Sequence, residues 1–79
     1  MENFKETFYA ILTDKLDVNR EALTPEKLFY DLGVDSLDMV ELVIEFEKAF
    51  SINISDDDAD KIKTVGDAEQ YLKTVLKIV

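Results

Sequence analysis

Ser36 stands between carboxylates, with Asp35 before it and Asp38 two residues after it, in the run Asp31-Leu32-Gly33-Val34-Asp35-Ser36-Leu37-Asp38. A serine hydroxyl offers two kinds of chemistry. It attacks a substrate if a base takes its proton, or it is esterified by another enzyme and holds what is placed on it. The chain has no histidine and no cysteine. That removes the commonest general base, every Ser-His-Asp arrangement, a thiol nucleophile and the usual zinc ligands. Carboxylates are plentiful, but 79 residues are too few to wall a deep pocket around an acid of raised pKa. The chain therefore reads as no enzyme.

A serine beside a helix start is most often a cap and nothing more. Here Asp35 can serve as the cap, with Asp38 reciprocating in a capping box. The Ser36 hydroxyl is then left free, and Gly33 lets the backbone turn sharply just before it. Unpaired N–H groups and the helix dipole favour an anion at such a place, so a phosphodiester on Ser36 would lie in a favourable field. A second chemistry, calcium binding, is weaker. Asp56, Asp58 and Asp60 match the first three ligand positions of a calcium loop, but Lys61 stands where glycine is required and Asp67 where glutamate closes the shell. No metal site is assigned.

The elements that must position Ser36 follow from periodicity. Phe4, Phe8, Ile11 and Leu12 form one apolar stripe, which predicts a first helix of about four turns. A long connection from about Leu16 to Val34 follows, with a turn or short helix at Thr24-Pro25 and with Leu23, Leu28, Phe29 and Leu32 to pin it to the core. The second helix runs from Asp35 or Ser36 to about Phe50. A short third helix is expected from Ser55 or Asp56 to about Ile62, capped by Ser55, with Asp56, Asp57 and Asp58 at its positive end. Thr64, with Asp67, caps a last helix carrying Val65, Ala68, Leu72, Val75 and Leu76 on one face. The fold class is all-α, a small four-helix bundle of three long helices and one short one, forming a single domain over residues 1–79.

The second helix has two apolar faces. On a wheel of about 100° per residue, Met39, Leu42, Val43, Phe46, Ala49 and Phe50 share the core arc. Leu37, Val40 and Ile44 form a second cluster, flanked by Glu41 and Glu47. Asp38, Glu41 and Glu45 line up at helical spacing, where like charges cost about 0.2–0.5 kcal/mol per pair in an isolated helix. Folding gives no reason to keep them together, whereas a partner-binding helix needs an apolar strip edged by charge. Packing by the third helix, with Ile54 or Ile62 on Val40, accounts for part of the strip; Leu37 and Ile44 are harder to cover. Composition agrees: the net charge is −9, and residues 31–60 hold ten acids against one base, Lys48. Such a field repels nucleic acid and anionic lipid and attracts basic protein surfaces. The apolar runs are short and broken by charge, so no membrane insertion is expected. Met1 to Glu6 lacks the basic region and apolar core of an export signal, so the chain reads as cytoplasmic or as the mature domain of an organelle; a monomer is expected.

The motif from Asp31 to Asp38, followed by Val40-Glu41-Leu42-Val43, resembles the attachment motif of acyl carrier proteins. The resemblance extends to Phe46-Glu47-Lys48-Ala49-Phe50, to the acidic run Asp56 to Asp60 and to Thr64-Val65-Gly66-Asp67-Ala68, and covers nearly the whole chain. It implies that a phosphopantetheinyl transferase moves a phosphopantetheine arm from coenzyme A onto Ser36, beside Asp35. The arm's thiol would hold acyl chains as thioesters for the enzymes of fatty-acid or related biosynthesis, synthase-type enzymes and acyltransferases with basic docking surfaces. Leu37, Asp38, Val40, Glu41, Ile44 and Glu47 would form the partner face. The resemblance also implies that the chain is sheltered between helices, where Val43, Phe46, Ala59 and Ile62 offer a lining. Leu28, Met39 and Ser55 depart from the residues frequent at their positions in that family. A specialised carrier of a secondary, polyketide-like pathway therefore stands as an alternative, as does an acidic protein-interaction or divalent-binding helical module without an arm.

Overall fold

The computed structural model describes residues 4–77, and the reading of the N-terminus as no export signal falls partly outside them, on Met1 to Asn3. Four helices run in the order α1 (Phe4–Leu16), α2 (Ser36–Phe50), α3 (Asp56–Asp60) and α4 (Val65–Leu76), with two 3-10 turns, Arg20–Ala22 and Phe29–Leu32, inside the long connection. The architecture is the expected three long helices and one short one.

The core is aromatic at one end. Phe8 lies 5.8 Å from Phe4 and 5.5 Å from Phe46, ring centre to ring centre, and Phe4 lies 5.4 Å from Phe50. These rings join α1 to α2, and fully burying one such side chain is worth about 1.5–3 kcal/mol. Leu12, Leu42, Val65, Ala68 and Leu72 complete the centre, so one stripe from each long helix meets the other two. At the rim, Tyr9 donates its hydroxyl hydrogen to Glu69 Oε1 at 3.3 Å, and Arg20 stacks over the Tyr9 ring at 4.2 Å. Glu69 also pairs with Lys73 and Lys5. That cluster ties α1 and the connection to α4.

The connection is pinned more firmly than its length suggests. Thr24 and Pro25 open a turn closed by the Lys27 N–H to the Thr24 carbonyl, and Leu23 and Phe29 are buried. Residues 25–29 then run antiparallel to the segment before α4. The Phe29 N–H donates to the Lys63 carbonyl, the Val65 N–H to the Lys27 carbonyl and the Gly66 N–H to the Pro25 carbonyl, at 2.8–3.0 Å. At Gly66 a Cβ would sit 2.8 Å from the Pro25 oxygen, so only glycine admits this approach without a shift.

Three expectations change. The third helix ends at Asp60 rather than about Ile62, because the backbone past Lys61 leaves the helix to pair with the connection while Ile62 turns into the core. Ala49, at the edge of the core arc, is exposed, and Met39 is only half-buried. Leu28, expected to pin the connection to the core, and Val75, expected on the apolar face of α4, are exposed instead.

Candidate functional site

α2 opens on a reciprocal cap. The Asp38 N–H donates to Asp35 Oδ1 at 2.8 Å, and the Asp35 N–H donates to Asp38 Oδ2 at 3.3 Å. Both carboxylates lie at the positive end of the helix dipole. Ser36 is thus the first helical residue and not the cap. It is exposed, and no hydrogen bond among the described residues engages its side chain. Before it, Gly33 takes left-handed backbone at φ 85°, which an L side chain would strain, and Val34 is buried. The turn presents the hydroxyl outward while its neighbour anchors the chain.

Ser36 and Asp35 line a groove of about 980 Å³ between α2 and α3. This is the upper end of the roughly 300–1,000 Å³ usual for sites that take a small organic molecule. Val43, Ala59 and Ile62 stand on its wall as expected. Phe46 does not: it turns towards α1, stacked on Phe8 and buried in the aromatic core. Sequence reasoning missed Met39 and Ile54 as lining. Met39 lies near the middle of the core arc, so the wheel assigns it to the core, yet it is only half-buried and borders the groove. Ile54 immediately precedes the Ser55 cap, a position whose apolar side chain commonly packs on the fourth helical residue, here Ala59.

The α3 wall is held mainly by polar contacts. None of its five residues is buried. The Asp58 N–H donates to Ser55 Oγ at 3.1 Å, which caps the helix. The Ile54 N–H donates to Glu47 Oε2 at 2.7 Å, and the Tyr71 hydroxyl donates to Asp58 Oδ2 at 2.9 Å. Burial, then the hydrogen bond and charge of Asp58, push the Tyr71 pKa above the usual 10.0. Glu47, expected to flank the partner face, is therefore also a strut between α2 and the α3 approach.

The second stripe of α2 is open to solvent. Leu37 is 67% exposed, Val40 55% and Ile44 42%, with Asp38 and Glu41 exposed beside them. Val40 and Ile44 also line the groove, facing it together with Ile54 and Ile62.

A free hydroxyl at a helix start, an apolar groove beside it and an exposed charged face describe a protein that carries a group and presents it. The chain matches the family described as "Phosphopantetheine attachment site" over residues 6–72. It is 53% identical over 68 residues to the acyl carrier protein of Karelsulcia muelleri (strain GWSS), a match covering 85% of this chain and 82% of that protein. The chain belongs to the acyl carrier protein family, whose cofactor is phosphopantetheine. It is a carrier and not a catalyst, and carriers of this kind work with a phosphopantetheinyl transferase and with synthase enzymes. No helix among the described residues is long and apolar enough to cross a membrane.

Proposed function

We propose that Ser36 is the attachment residue, and that the protein delivers acyl chains of fatty-acid or related biosynthesis from enzyme to enzyme as a cytoplasmic, single-domain monomer over residues 1–79. The observation that carries this reading is the Ser36 hydroxyl, exposed and without a hydrogen bond among the described residues, beside the Asp35 cap on the wall of the groove. The residues fit the group. Asp35 and Asp38 cap the helix through each other and leave the Ser36 side chain out of it, so esterifying Ser36 breaks no hydrogen bond among the described residues, and the helix N-terminus favours the phosphate charge. When bound, the arm supplies a thiol that holds acyl groups as thioesters.

The chain's own residues do the rest. Val43, Ala59 and Ile62, with Met39 and Ile54, offer an apolar wall for an alkyl chain, which gains about 0.8 kcal/mol per methylene removed from water. Phe46 supports that wall from behind and does not line it. Leu37, Val40 and Ile44 supply the contact area for a partner, and Asp38, Glu41 and Glu47 attract its basic surface.

The test is intact mass after incubation with coenzyme A and a phosphopantetheinyl transferase. The wild-type chain gains one arm and Ser36→Ala gains none while keeping its helical circular dichroism. An Ala variant that still gains the arm refutes the assignment. Loading with a medium-length acyl chain raises the melting temperature over the arm-only form, and shifts near Ile62 and Val43 move more than those near Phe4. Unchanged stability and shifts would mean that the chain stays outside the groove.

A further inference from the structure

Seven of the eight aromatic side chains have an evident structural role and one has none. The five phenylalanines are buried. Tyr9 and Tyr71 are half-buried, and their hydroxyls donate to Glu69 and Asp58. Tyr30 is 82% exposed, and its hydroxyl makes no hydrogen bond among the described residues. Exposing a large ring to water gains the fold nothing.

Its setting is rigid. Tyr30 lies in the 3-10 turn Phe29–Leu32, between the buried Phe29 and the left-handed Gly33. The Phe29 N–H is bonded to the Lys63 carbonyl, and the Gly33 N–H is bonded to the Tyr30 carbonyl. Tyr30 lines the same groove as Ser36. Of the six large apolar side chains exposed among the described residues, Leu28, Tyr30, Leu37, Val40 and Ile44 all lie on α2 or in the connection leading to it. The acidic stretch begins at the next residue, Asp31, and continues through Asp35 and Asp38.

We propose that Tyr30 is an anchor of the docking surface, received by an apolar socket with a basic rim on the enzymes that engage Ser36. The proposal rests on the reading of Ser36 and α2 given above and extends the contact across the groove mouth. The charge argues for this occupant: a socket that buries Tyr30 meets Asp31, its chain neighbour, and Asp35, which lines the same groove, so a basic rim there is attracted. A tyrosine held on fixed backbone suits the role. It buries a large area while losing little side-chain freedom, and tyrosine is enriched among residues that dominate interfaces.

The experiment is steady-state loading of the full-length chain, prepared without its arm, by a phosphopantetheinyl transferase with coenzyme A. Tyr30→Ala raises the KM for the protein about tenfold, the loss falling on KM rather than kcat. Tyr30→Gln, which keeps a long side chain without the ring, behaves the same way, and Tyr30→Phe retains most of the affinity because the ring makes the contact. Failure of the wild-type chain to be loaded at Ser36 would refute the underlying reading. Loading with unchanged KM in both ring-deleted variants would overturn the Tyr30 assignment alone. So would an unchanged KM accompanied by Tyr30 ring shifts on arm attachment, which would give the ring to the arm. A wild-type dimer in sedimentation that Tyr30→Ala dissolves would give it to a second copy and also overturn the proposal.

Discussion

Replacing Glu47 separates the carboxylate's structural duty from its electrostatic one. Its Oε2 accepts the Ile54 N–H at 2.7 Å in a part-buried setting, seven residues along the chain. That bond fixes the segment leading into the Ser55 cap, and hence one wall of the groove. A hydrogen bond to a charged group contributes about 1.5–3 kcal/mol, and partial exposure here argues for the lower end. Glu47→Ala should therefore cost about 1.5 kcal/mol. For a domain of this size that is a fall of roughly 6–12 °C in melting temperature. Glu47→Gln keeps an acceptor oxygen and loses the charge. Weakened bonding is offset by less repulsion within the acidic segment, so its melting temperature stays within about 4 °C of wild type. Glu41→Gln, exposed and unbonded among the described residues, is the control; it relieves the like-charge pairs with Asp38 and Glu45 and should melt at or slightly above wild type. Thermal unfolding followed by circular dichroism at fixed ionic strength reads all three. If Glu47→Ala melts with Glu41→Gln, the strut contributes nothing, and Glu47 belongs wholly to the partner face.

Three further outcomes are expected. Gly66→Ala forces a Cβ to 2.8 Å from the Pro25 oxygen, a backbone atom, so the connection must shift; the cost is about 1–3 kcal/mol, read as a lower midpoint in urea. Above about pH 10 stability should fall, because burial and the facing carboxylates hold the Tyr9 and Tyr71 phenols above their unfolded value, with Arg20 partly offsetting this at Tyr9. A raised folded pKa gives stability that is complete below the unfolded value and lost as pH rises through the folded one. Melting temperature against pH shows this, and Tyr71→Phe shallows the decline. At the partner face, Glu41→Lys should slow association with a transferase and flatten its salt dependence, whereas Ile44→Ala should speed dissociation. Stopped-flow binding distinguishes them, and unchanged rates in both would remove the interaction-face argument.

Much of this protein is determined locally, and local features were legible in the chain. Each cap forms between residues three apart: Asp35 with Asp38, Ser55 with Asp58, and Thr64 with Asp67. The stripe Phe4, Phe8 and Leu12 is buried, and Leu37, Val40 and Ile44 are exposed, because periodicity decides which residues share a face. Ser36 as a free hydroxyl followed from the same local arithmetic: one residue caps, and its neighbour does not.

Contacts between distant segments were decided only by the fold. The pairing of residues 25–29 with 63–66 ended the third helix early and turned Ile62 inward. No periodicity within five residues encodes that. Phe46 and Val43 lie on one helical arc, yet α1 claims Phe46 and the groove keeps Val43, because the arc is wide enough to meet two neighbours. Glu47 reads as surface charge until Ile54 approaches it, and Tyr30, which no sequence pattern singles out, stands apart only once every other ring has a place in the core or a hydrogen-bond partner. A side chain's role depends on what the rest of the chain brings against it. For these residues the neighbours come from segments that sequence spacing does not relate.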